Sequence, residues 1–182
     1  MTKRASSVKT DFIAPILVLT VICIVISAAL AFTNDLTAPI IEETTRRLNE
    51  QARIEVLPDA DSFELVQADG LPETITEVYR AVNGAGYVFM ITCDGYGGKD
   101  TMNLICGMDA DGVIVSCKTL SHSETAGLGS KTTQDEFRSQ FTGKDAALSG
   151  VETISGATRS SEYYINAIRD CFSAYEIVKE AA

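Results

Sequence analysis

One membrane-spanning helix followed by an α+β domain, an antiparallel sheet with flanking helices, is the architecture that this chain of 182 residues predicts. Three observations carry it. Phe12 to Phe32 is nearly all apolar, interrupted only by Pro15, Thr20 and Ser27. At about 1.5 Å per residue such a run spans about 30 Å, the hydrocarbon thickness of a bilayer. From Phe63 onward the pattern becomes short strand-like runs separated by turn pairs. Near the C-terminus Tyr164, Ile168, Cys171, Phe172, Tyr175 and Val178 recur at helical spacing and form one apolar stripe, which reads as core packed on the sheet.

The segments follow in order. Lys3, Arg4 and Lys9 precede the apolar run, whereas Asp35, Glu42 and Glu43 follow it. Cationic flanks stay on the cytoplasmic side, so residues 1–11 are expected in the cytoplasm, 12–33 in the membrane and the rest outside. Ala29-Leu30-Ala31 also resembles a signal-peptide cleavage site. The run is longer than such a peptide needs, which favours a retained anchor. Residues 34–61 form a connecting segment, with a helix expected from Thr37 to Leu57. Thr37 would be its N-cap, Leu48, Ala52 and Val56 recur at helical spacing, Pro58 ends it, and its charges read as a solvent face. Residues 62–182 form the extracytoplasmic domain.

In that domain strands are expected at Phe63–Val66, Glu77–Ala81, Tyr87–Thr92, Met102–Met108 and Val113–Lys118. Asn83-Gly84 and Asp111-Gly112 are turn pairs between them, and short links between consecutive strands imply an antiparallel meander. Asp109-Ala110-Asp111-Gly112 lacks the other ligands of a calcium loop, and a hairpin turn explains it. Thr133–Phe141 reads as a short helix with Phe137 and Phe141 at i, i+4, stopped by Gly143.

Composition excludes several functions. The net charge of −10 provides no basic face, so nucleic acid is not an expected partner. The 5 cysteines include no CxxC pair, which removes zinc knuckles and thioredoxin-type chemistry, and no metal site is expected. Cys93, Cys106 and Cys117 read as small buried hydrophobes; outside the cell a disulfide among them is open, with no pairing chosen. Neither cluster ligands of a ferredoxin nor a dinucleotide fingerprint is present. His122, the single histidine, completes no triad, so no catalytic residue is assigned.

The chemistry-bearing stretch is Ser155-Gly156-Ala157-Thr158 at the mouth of the last helix. Gly156 and Ala157 leave little bulk before the Thr158 hydroxyl. The N–H groups of residues 159–161 and the positive end of the helix dipole would face outward there, which suits a phosphate. The competing reading is a plain helix cap, for which Ser and Thr are favoured. Two further elements stand upstream. Gly95-Tyr96-Gly97-Gly98-Lys99 is glycine-rich without the spacing of a phosphate loop, and a wide turn with glycines at positive φ accounts for it. His122-Ser123-Glu124-Thr125-Ala126-Gly127-Leu128-Gly129-Ser130-Lys131 is the other.

Val151 to Thr158 resembles the flavinylation motif of the FMN-binding domains of the RnfG and NqrC families, with Glu152 where those families usually carry Asp. The two upstream elements resemble the GYGG turn and the H-x-E-T-x-G-L-G element of the same families, with Ala126 in place of the usual Pro. The three occur in family order, and the resemblance spans nearly the whole chain. It implies an RnfG-like electron-transfer subunit of a membrane-bound complex that links ferredoxin oxidation and NAD+ reduction to Na+ or H+ transport. It further implies FMN held covalently through a phosphoester to Thr158, attached by a separate flavin transferase that uses FAD. The expected partners are the other Rnf-type membrane subunits, that transferase and the lipid bilayer.

The same resemblance sets the expected cofactor-binding residues. Ser155, Gly156, Ala157 and Ser161 surround the attachment threonine. Glu124, Thr125, Gly127, Leu128, Gly129 and Lys131 belong to the element that lies against the flavin. Gly127 and Gly129 would let backbone approach a flat ring, Thr125 would bond its polar edge, Leu128 would cover an apolar face, and Lys131 would meet a phosphate or the N1 side. Two other readings stay open at this point: a stand-alone anchored flavoprotein, and a flavin-free binding or signalling domain whose SGAT only caps a helix.

Overall fold

The computed structural model describes residues 4–181, with side chains from 13 to 180. The basic side chains of Lys3, Arg4 and Lys9 lie outside the described residues. The chain divides into two units, residues 1–47 and 48–182.

The described part of the first unit is helical. A single helix, α1, runs from Arg4 to Val56 and continues into the second unit. From Ile13 to Leu30 its large apolar side chains are exposed, which is tolerable only if lipid or protein covers them. Its hydroxyls are satisfied inside the helix: Thr20 donates to the Ile16 carbonyl and Thr33 to that of Ala29, both at 2.9 Å. Such back-bonding is what hydrocarbon demands of a polar group. The helix break expected before Thr37 is absent. The Thr37 hydroxyl donates backward, to the carbonyls of Thr33 at 2.9 Å and Asn34 at 3.3 Å, instead of capping forward. Pro39 stands within the helix. Glu43 pairs with Arg46 and Arg47 on the exposed surface, each pair contributing little.

The second unit is a five-stranded antiparallel meander in the order β1-β2-β3-β4-β5. Its strands are β1 (Phe63–Val66), β2 (Ile75–Ala81), β3 (Gly86–Gly95), β4 (Gly98–Asp109) and β5 (Ile114–His122). The α+β class and the meander are as the sequence predicts, and all five expected strands are present. The turns form as their residues require: Gly84 and Gly112 sit at φ +77° and +81°. Asp109 Oδ1 accepts the N–H groups of Asp111 and Val113 at 3.0 and 2.9 Å, so this carboxylate serves the hairpin.

Both faces of the sheet are covered. Helix α3 (Thr158–Ala181) brings Tyr164, Ile168, Cys171, Tyr175 and Val178 onto Phe89, Ile91, Leu104 and Met108. Phe137 and Phe141 close this core beside Tyr164, with ring centroids 5.3 and 5.4 Å from it. The expected short helix there is divided: a 3-10 turn at Gly129–Thr133, helix α2 at Asp135–Arg138 and a second 3-10 turn at Ser139–Phe141.

On the other face the last turns of α1 pack Ala52, Val56 and Leu57 against Ala81, Val88, Met90 and Ile105. Ala52 and Val56, two of the apolar positions that recur at helical spacing, are thus part of the core, and the compact unit begins at Leu48. Gly107 permits the approach, because a Cβ there would lie 2.4 Å from the Val56 carbonyl oxygen. All four cysteines of this unit are free and buried. Burial pushes the Cys93 and Cys117 thiols up to about 12, as expected of cysteines used for packing.

Candidate functional site

The site grows from one buried carboxylate. Glu124, 8% exposed, follows β5 and projects between two other segments. Its Oε1 accepts the Tyr96 N–H at 2.8 Å, and its Oε2 accepts the Ser160 hydroxyl at 2.6 Å. His122 helps hold the loop, its Nδ1 accepting the Glu124 N–H at 3.1 Å. One side chain therefore ties the β3–β4 hairpin tip and the first turn of α3 to the loop after β5. Two glycines make room for it. A Cβ at Gly95 would lie 2.1 Å from Oε1, and one at Gly129 would lie 1.9 Å from Oε2. Gly129 is thus required by the carboxylate and the adjacent Ser160, a different reason from the close ring approach expected of it.

The hairpin is tighter than a wide turn. Gly95 pairs with Gly98, so only Tyr96 and Gly97 make the connection, and of the glycines there Gly98 alone takes positive φ, at +130°.

The SGAT turn is set by Gly156, whose φ of +81° reverses the chain into α3. The Ser161 N–H donates to the Ala157 carbonyl at 3.0 Å. Ala157 therefore occupies the N-cap position and Thr158 is the first residue of the helix. Alanine has no side chain with which to cap, so capping does not explain this Ser/Thr-bearing turn. No hydrogen bond engages the Thr158 hydroxyl among the described residues, and the residue is exposed. The N–H groups left without intrahelical partners are those of residues 158–160, one position earlier than expected, because Ser161 has already begun the ladder.

A cleft of about 510 Å³ opens over these groups. Tyr96, Glu124, Thr125, Leu128 and Gly129 line one part of it, and Gly156 to Ser160 line the rest. Its volume lies within the roughly 300–1,000 Å³ usual for small-molecule sites. Leu128, 48% exposed, has its Cδ2 3.7 Å from the position a Cβ would take at Gly156. Arg159 contributes a guanidinium at the rim, where it donates to the Tyr163 hydroxyl at 3.0 Å. That contact raises its pKa further, so the cleft edge is cationic throughout the physiological range.

Of the expected site residues, Glu124, Thr125, Leu128, Gly129, Gly156, Ala157 and Thr158 meet in this cleft. Four lie elsewhere. Ser161 is fully buried, its Oγ accepting the Ile154 N–H and donating to the Ala157 carbonyl, both at 3.0 Å, so it braces the turn from behind. Ser155 is exposed outside the lining. Gly127 shapes the loop at φ +77°, with open space where a Cβ would be. Lys131 lines a second cleft of about 470 Å³ with Gln140, Glu152 and Ile154, because the 3-10 turn after Gly129 carries it away from Thr158. Three lining residues were not among the expected site residues: Tyr96, Arg159 and Ser160. For Arg159 and Ser160 the sequence pointed to the backbone N–H groups and not to the side chains, and for Tyr96 the signal was its place inside the glycine-rich turn.

Comparison with known proteins bears on the same stretch. Residues 95–173 match the family described as the FMN-binding domain. The G subunit of the Na(+)-translocating ferredoxin:NAD(+) oxidoreductase complex of Acetobacterium woodii is 36% identical over 167 residues, covering 84% of this chain and 79% of that protein. The G subunit of the ion-translocating oxidoreductase complex of Methanosarcina acetivorans is 31% identical over 179 residues, covering 88% and 94%. The G subunit of the proton-translocating ferredoxin:NAD(+) oxidoreductase complex of Clostridium ljungdahlii is 26% identical over 165 residues, covering 84% and 85%.

Proposed function

This chain belongs to the RnfG family, the G subunits of ion-translocating oxidoreductase complexes, and on that premise we propose that it carries covalent FMN in a membrane-bound ferredoxin:NAD+ oxidoreductase coupled to Na+ or H+ translocation. Thr158 is the attachment residue. The observation that carries this reading is the unbonded Thr158 hydroxyl, first in its helix and open to the cleft, beside three N–H groups without intrahelical partners.

The residues fit such a group. A phosphate at Thr158 would be held by those amides, the positive end of the helix dipole and the Arg159 guanidinium, all of which belong to residues lining the cleft. Leu128 offers apolar surface to a ring system, and Thr125 lies within the same cleft. In attachment the Thr158 oxygen would bond to the FMN phosphorus of FAD as the phosphoanhydride breaks, with AMP as the leaving group and the hydroxyl proton passing to a base. A separate flavin transferase supplies the base and the FAD. FMN supplies the electron-transfer chemistry once bound. Thereafter Thr158 is a tether, while Glu124 holds the three cleft segments in register and Leu128 excludes water.

The chain is anchored in the cytoplasmic membrane by residues 12–33, with residues 1–11 in the cytoplasm and the flavin domain outside. The charge asymmetry across the apolar run supports this orientation. Outside the cell a flavin that dissociated would be lost, which gives a covalent tether its purpose. Electrons pass to and from redox centres in neighbouring membrane subunits of the same complex. The relatives above are named for different ions, so family membership leaves the coupling ion open between Na+ and H+.

The test is direct. The full chain is coproduced with a flavin transferase, denatured and run on a gel. Flavin fluorescence should stay with the polypeptide, and the intact mass should rise by one FMN less water. Thr158→Val should abolish both. A colourless chain, or an adduct mapped to Ser155 or Ser161, overturns the assignment.

A further inference from the structure

We infer that Tyr96 is a cofactor-contacting residue, an aromatic wall of the cleft against which the flat ring system of the flavin rests. The inference builds on the proposed FMN site and adds a residue from a segment well upstream of the attachment motif.

Tyr96 is 68% exposed although it sits at the tip of a hairpin only two residues long. Glycine, asparagine and aspartate suit such tips, and a tyrosine there gains nothing from the turn itself. Its ring is one of the few large apolar surfaces that the second unit leaves in solvent. Leu65, Val82, Leu128 and, on the end of α1, Leu48 and Ile54 are the others among the described residues. Of these six only Tyr96 and Leu128 line the cleft over Thr158. They come from different loops and offer an aromatic and an aliphatic surface to the same space.

The tip is also held in place. The Tyr96 N–H donates to Glu124 at 2.8 Å, and the other oxygen of that buried carboxylate holds Ser160, two residues from Thr158. A hairpin tip with no packing of its own is thereby fixed relative to the attachment residue. The bond is made by backbone, so a side-chain substitution leaves it in place. A stacked phenol excludes water from one face of the ring and quenches its emission. Excluding water disfavours the charged reduced form, and removing the cover favours it.

The experiment uses the full chain in detergent, loaded with FMN by a flavin transferase, with flavin content read by intact mass. Native emission per bound flavin is compared with emission after denaturation. Wild type should be dim when native and brighten on unfolding. Tyr96→Ala should be several-fold brighter than wild type when native, with a more positive midpoint potential. Tyr96→Trp should stay dim, with a potential near wild type. If Tyr96→Ala carries one FMN per chain yet is as dim as wild type with an unchanged potential, the inference is overturned and the Thr158 assignment stands. If wild type carries no FMN, both fall.

Discussion

Two clefts of nearly equal size, about 510 and 470 Å³, flank the stretch from Glu152 to Thr158, and they differ in what holds their walls. The first joins three segments through one buried carboxylate that accepts from a hairpin amide and a helix hydroxyl. It keeps one hydroxyl and the first amides of α3 uncommitted. The second is lined by Lys131, Gln134, Glu136, Phe137, Gln140 and residues 152–154. Its polar groups include a Gln140 oxygen already taken by the Glu152 N–H at 2.8 Å. Volume does not separate them. A pre-organised frame around free donors is what marks a binding site, because ordering is then complete before the ligand arrives.

Ways to break this contrast can be ranked. The largest effect is expected from Thr158→Val, which should remove all covalent flavin while leaving the fold intact, read by mass and by circular dichroism. Gly129→Ala comes next. Its new methyl would overlap the Glu124 carboxylate and the Ser160 hydroxyl, and overpacking of this kind costs about 1–3 kcal/mol or more. Gly127→Ala, two residues away in open space but at positive φ, should cost only about 1–2 kcal/mol of backbone strain. Urea unfolding of the two variants compares packing with strain in one loop; equal losses would break the claim that Glu124 dictates Gly129.

Glu124→Ala strands the Tyr96 amide and the Ser160 hydroxyl and should destabilise the domain by about 1–3 kcal/mol, with slower flavin loading. Glu124→Gln keeps one oxygen to accept the Tyr96 N–H and can donate its amide N–H to the Ser160 oxygen if that hydroxyl rotates, and should lose less. The smallest effect is expected in the second cleft: Lys131→Gln should change stability by no more than about 0.5 kcal/mol and leave flavin content unaltered. A marked fall in loading with that variant would show that the second cleft takes part in attachment.

The elements themselves were legible. Strand alternation, the Asn83-Gly84 and Asp111-Gly112 turns and the α3 stripe depend on neighbours in sequence, and each formed where its pattern lies. Local signals failed where two of them competed. Thr37 reads as a helix cap, but the helix continued through it because its hydroxyl found a carbonyl behind it. The amphipathic end of α1 reads as a connector between membrane and domain, but the uncovered face of the sheet took Ala52, Val56 and Leu57 as its lid. Strands buried on both faces require such a second cover.

The sequence by itself determined the membrane run, the meander, the closing helix and the three motifs that point to one family, since all of these are carried by residue spacing. Tertiary structure alone decided that Ala157 and not a serine stands at the helix N-cap, that Gly129 yields to a carboxylate, that Lys131 turns away and that Tyr96 turns in. The Gly129 and Tyr96 outcomes depend on partners 28 and 36 residues apart, brought together by sheet register and helix packing. Periodicity along the chain carries no record of which distant atoms will share a buried carboxylate.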